Sequence, residues 1–77
     1  MPTFRICVLN DDFCATDDHA CANSDAARRT ALQGALDIGV GQLMDGKAFF
    51  GAEVTVDQGE ERVGHFAIAI GTSSLMR

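Results

Sequence analysis

The sequence contains no tryptophan or tyrosine and only two histidines, His19 and His65. No stretch sets a nucleophile, a base and an oxyanion hole in a recognisable order, so no enzymatic activity is expected of it. Positive charge is scarce too: six basic against eleven acidic residues leave a net charge of −5. A field of that sign repels phosphate backbones, which argues against a nucleic-acid partner. Long apolar runs are missing as well. Nothing approaches the roughly 20 residues of a membrane span, and Met1-Pro2-Thr3-Phe4-Arg5 lacks the regions of a signal peptide. The expectation is a cytoplasmic protein with no membrane partner.

Closely paired cysteines are also absent. Cys7, Cys14 and Cys21 fall seven apart, an odd number in a short chain, which argues for reduced thiols and against a disulfide framework. With His19, Asp11-Asp12 and Asp17-Asp18 they form the one cluster of potential metal ligands. Zinc sites bring their ligands in close pairs, and only Asp17, His19 and Cys21, read as one loop, approach that form. The expectation is therefore no metal and no cofactor, with Cys7 and Cys14 as small buried hydrophobes and His19 on a polar loop. A small-ligand or metal site using Cys7, Cys14, Cys21 and His19 is the alternative. The acidic stretch from Asp11 to Asp18 lacks the glycine and glutamate of a calcium-binding EF-hand loop and reads as solvated. Gly39-x-Gly41 and Gly46 follow no strand and make no phosphate cradle. Arg28-Arg29 is too short a basic run to mark more than a wet helix face.

What is present is periodicity. Phe4, Ile6 and Val8 alternate with Arg5 and Cys7, as a strand over 3–9 with one buried face requires. Asn10-Asp11-Asp12 signals a turn, and Phe13–Thr16 could return as a short strand ended by Asp17-Asp18. From Ser24 the period lengthens: Ala27, Ala31, Leu32, Ala35, Leu36, Ile38, Gly39 and Leu43 make a broad apolar stripe on a helix over 24–44. Asn23 or Ser24 caps it, and Asp25 suits its positive end. Asp45-Gly46 stops it. Two more strands, 49–57 and 62–70, flank a hairpin turn at Gln58-Gly59-Glu60-Glu61, and 71–77 is unassigned.

These elements make one α+β domain, residues 1–77, with an amphipathic helix on a small, mainly antiparallel sheet of three to four strands. The expected core is Phe4, Ile6, Val8, Phe50, Val54, Val56, Phe66, Ile68 and Ile70. At 77 residues only about 60–65% of the unfolded surface can be buried, so the core is thin. One helix covers one sheet face. The other then carries Cys7, Leu9, Phe49, Gly51, Val63, His65, Ala67 and Ala69 beside Arg5, Glu53 and Thr55, more apolar than a solvated face needs to be. The candidate interface is Cys7, Phe49, Gly51, Val63, His65, Ala67 and Ala69.

Met1-Pro2-Thr3-Phe4, Asp17-Asp18, Ala26-Ala27-Arg28 with Ala31-Leu32, and the hairpin from Phe49–Val56 to Phe66–Ile70 together resemble a family of short bacterial proteins of unknown function from rhizobial and sphingomonad genomes. His19 stands where many of its members have glycine. The resemblance implies the fold and a bacterial cytoplasmic setting, and it assigns no catalytic residue. A more distant similarity is to antitoxin-type domains, which place one helix on a small sheet and dimerise; it implies, as a further alternative, a regulatory partner role. The reading that the residues themselves favour is a homodimeric protein-interaction module, joined through the small-residue sheet face or through the last strand's edge, whose run from His65 to Ile70 has no lysine or proline to guard it.

Overall fold

The computed structural model describes residues 1–76. It is an α+β fold of order β1 (Thr3–Leu9), β2 (Cys14–Ala20), α1 (Ser24–Met44), β3 (Phe49–Gln58) and β4 (Glu61–Gly71). The strands form one four-stranded antiparallel sheet ordered β2-β1-β3-β4. Among the described residues no helix is long and apolar enough to cross a membrane.

Each hairpin turn follows from local chemistry. Asn10 Oδ1 accepts from the amides of Asp12 and Phe13 at 2.9 and 3.1 Å, an Asx turn that sets Leu9 opposite Cys14. At the other hairpin Gly59 has φ +60° while Glu60 keeps a negative φ, the pattern of a type II′ turn with glycine first. The helix starts at Asn23, whose side chain accepts from the amide of Ala26 at 2.8 Å. It ends in a Schellman motif: Gly46, at φ +108°, donates to Leu43 O and Lys47 donates to Gln42 O, both at 3.1 Å.

Four expectations are corrected. The return strand does not stop at Thr16. It runs through Asp17-Asp18 to Ala20, with Phe4 opposite His19 and Ile6 opposite Asp17, so His19 and both aspartates lie on a strand and not on a loop. β2 is an outer strand exposed along nearly its whole length; its polar side chains stay in water while its backbone completes the β1 ladder, and that pairing overrides their poor strand propensity.

The helical stripe is narrower than its apolar residues suggest. Only Ala27, Ala31, Ala35 and Gly39 are buried, one small residue per turn, which lets the helix axis come close to β3. Leu32 and Val40 are exposed. Third, Phe4, Ile6, Val8, Phe50, Val54 and Val56 are buried as expected, whereas Phe66, Ile68 and Ile70 are only half-buried against that cluster. The helix lies chiefly over β3, so the helix-side face of β4 is incompletely covered.

Among the cysteines, Cys21 is the one buried, Cys7 is half-buried and Cys14 exposed. Cys7 and Cys14 are thus not the buried pair expected.

Candidate functional site

Register alone assembles the helix-free face. Cys7 lies opposite Thr55, Gly51 opposite Ala69, Glu53 opposite Ala67 and Thr55 opposite His65. Cys7, Phe49, Gly51, His65, Ala67 and Ala69 therefore share one side of the sheet, as the alternation predicts. Val63 leaves this set. A bulge at Val56/Asp57 pairs Asp57 with Arg62 and Val56 with Gly64; Val63 is the extra residue, and it packs against the core cluster.

The face has two ends of different chemistry. One end is an open groove of ≈ 470 Å³ lined by Leu9, Phe49, Gly51, Glu53, Ala67 and Ala69, among others. Phe49 is 63% exposed, and its ring lies over Gly51, where a Cβ would sit 3.0 Å from the ring edge; the glycine is what allows the ring to lie flat along its own strand. The other end is charged. Asp18 faces Arg5, Arg5 faces Asp57 and Asp57 faces Arg62, an alternating row across all four strands. Arg5 Nε is 3.3 Å from Asp18 and Arg62 Nε 3.0 Å from Asp57. Beside the row, His65 Nε2 meets Glu53 Oε2 at 2.5 Å.

Sequence reasoning missed this row, because the bulge decides where Arg62 stands. Its consequence is readable in pH. The hydrogen bond from Arg62, then the positive charges of Arg62, Arg5 and His65, hold the Asp57 carboxyl below its ordinary value, against an opposing contribution from partial burial. A lowered folded-state pKa means stability that is present above the unfolded value and lost as pH falls toward the folded one. Asp57→Asn should therefore flatten part of the fall in urea-unfolding midpoint between pH about 5 and about 3; identical slopes for variant and wild type would show that the row adds no pH-dependent stability.

Arg28 was expected to be merely solvated. Instead Nη1 donates to the Val63 carbonyl at 2.8 Å and Nη2 pairs with Asp25. The guanidinium thereby ties the helix's first turns to the carbonyl at the bulge. Gly64 keeps the route open, since a Cβ there would meet Arg28 Cγ at 3.0 Å.

The cysteine, histidine and aspartate cluster does not converge. Cys7 and Cys14 come together on the helix-free face, their sulfurs 3.6 Å apart. Cys21 sits in the core with its sulfur 3.9 Å from Thr30 Oγ1, and His19 pairs with Asp17 at 3.8 Å. Among the described residues no group of three or more histidine, cysteine, aspartate and glutamate side chains could hold a metal ion.

The fourth strand carries a second feature. β4 is an outer strand of 11 residues, and Leu32 joins Phe66 beside it. Leu36 and Val40 follow Leu32 one and two turns along the same helical row. An apolar strip of Leu32, Phe66, Ile68 and Ile70 therefore adjoins an unpaired backbone edge. No family model matches the chain, no curated protein matches it, and no solved structure matches it.

Proposed function

We propose that the chain is a homodimeric protein-interaction module that acts by binding and not by catalysis, joined edge to edge through β4. One observation carries the reading: the strand at this edge is the longest in the sheet, and the helix leaves its apolar residues half-covered. Outer strands are ordinarily blunted by charge, proline or shortness. β2 is blunted, being short and bearing Asp17-Asp18. From Val63 to Gly71 β4 has no acidic residue, no lysine and no proline.

The edge is also self-complementary. Antiparallel pairing about a two-fold axis at Ala67 sets Phe66 against Ile68 of the second copy and His65 against its Ala69. No like charges meet in that register. Ile70 falls opposite Gly64, beside the aliphatic stem of Arg28 that lies over that glycine, and the two copies together shield the strip that a single helix leaves open.

Sedimentation equilibrium over a wide concentration range tests the proposal. Ala67 is exposed and on the helix-free side, so Ala67→Lys leaves the monomer folded while placing two lysines face to face. It should raise the dimer dissociation constant at least about ten-fold, a cost of ~1.4 kcal/mol. Ala20→Lys on the opposite edge should leave the constant unchanged. A wild-type chain that stays monomeric at every concentration overturns the reading.

A further inference from the structure

Cys7 and Cys14 are brought to one face by the register of β1 and β2, and association through the edge of β4 makes no use of them. They lie diagonally across the β1–β2 ladder, Cys7 opposite Thr16 and Cys14 opposite Leu9, on the same face, with sulfurs 3.6 Å apart. A disulfide needs ~2.05 Å between sulfurs, so closure requires an approach of about 1.5 Å. β2 can supply it: it is an outer strand paired to β1 alone, and the helix sits over β3. The two thiols also differ in access. Cys14 is exposed and Cys7 half-buried, while Cys21 is 7% exposed and turned into the core.

We propose that Cys7 and Cys14 form a redox-active dithiol site whose co-substrate is a low-molecular-weight disulfide, with Cys14 as the entering thiol and Cys7 as the resolving one. The Cys14 thiolate attacks one sulfur of the small disulfide; an S–S bond forms at Cys14, the reagent's S–S bond breaks, and one small thiolate leaves and takes up a proton. Cys7, having given its proton to solvent, then attacks the Cys14 sulfur. The cross-strand bond forms and the second small thiol departs. The protein dithiol loses two electrons and two protons, and the disulfide becomes two thiols. Thr16 Oγ1 lies 3.9 Å from the Cys14 sulfur, where its hydroxyl can donate to the thiolate. A chain of net charge −5 disfavours anionic disulfides, so the class expected is uncharged or cationic.

The test treats the full chain with bis(2-hydroxyethyl) disulfide, blocks remaining thiols with iodoacetamide under denaturing conditions, and reads intact mass. Cleavage before aspartate separates the three cysteines, because Asp11 and Asp17 fall between them. Wild type should lose two hydrogens, with Cys7 linked to Cys14 and Cys21 alkylated. Cys7→Ser should stop at one mixed disulfide on Cys14, and Cys14→Ser should react at Cys7 at least about ten-fold more slowly than wild type closes. Cys7→Ala, with circular dichroism on each variant, separates lost chemistry from lost fold. Wild type that accumulates mixed disulfides without closing, or that links Cys14 between two chains, overturns the proposal. Neither result bears on association through β4, which lies at the opposite edge of the sheet.

Discussion

Phe50→Ala should cost about 3–5 kcal/mol of unfolding free energy, the usual penalty for emptying a core aromatic site. The total available to a domain of this length is only roughly 4–12 kcal/mol at ordinary stability per residue. Much of the population should therefore lose its cooperative urea transition, read by far-ultraviolet circular dichroism. Phe50 is 2% exposed and connects three elements at once. It belongs to β3, its ring stacks on Phe13 of the first hairpin loop with centroids 6.4 Å apart, and it lies under α1 where Gly39 gives it space. The adjacent Phe49 supplies the control. It points to the helix-free face and is 63% exposed, so Phe49→Ala should change stability by no more than about 0.5 kcal/mol. A loss at Phe50 below about 1 kcal/mol would mean that the helix is not seated on that ring.

The contrast between these two phenylalanines shows what was legible in the sequence. Strict alternation told the faces of β1 and β3 apart, and the change of period at Ser24 placed α1, because both signals are local and span many residues. The features that escaped depend on one-residue or non-local decisions. β2 extends through Asp17-Asp18 because β1 offers it a ladder, which no property of those aspartates announces. The bulge beside Asp57 moves Val63 off the helix-free face and sets Arg62 against Asp57, and a single inserted residue leaves no periodic trace. Half-coverage of Phe66, Ile68 and Ile70 follows from where the helix axis lies. The Cys7–Cys14 pair could have been found: the Asx turn at Asn10 fixes Leu9 opposite Cys14, and cross-strand partners share a face, so Cys14 must join Leu9 and Cys7.

The axis position is itself set by small residues, and that leads to a prediction in which one substitution has opposite signs at neighbouring sites. At Gly34 and Gly41 an added Cβ meets nothing within 4 Å. Alanine there relieves the backbone entropy that glycine loses in a helix and should raise stability by about 0.5–1 kcal/mol at each site. At Gly39 the same methyl would sit 2.7 Å from Phe50 Cδ2 and 2.8 Å from Ile70 Cδ1. Ile70 is half-buried at the outer strand, and the end of its side chain can swing aside. The Phe50 ring has no such freedom, being rigid and closed in, so the helix must lift away from β3. Overpacking of this kind costs about 1–3 kcal/mol, which outweighs the helical gain of about 0.8–1 kcal/mol for alanine over glycine. Gly39→Ala should therefore lower the urea midpoint while Gly34→Ala and Gly41→Ala raise it, and Gly39→Leu should lower it further. If all three alanines stabilised alike, the close approach of α1 to β3 would not exist in solution, and with it would go the reason why the helix leaves β4 half-covered.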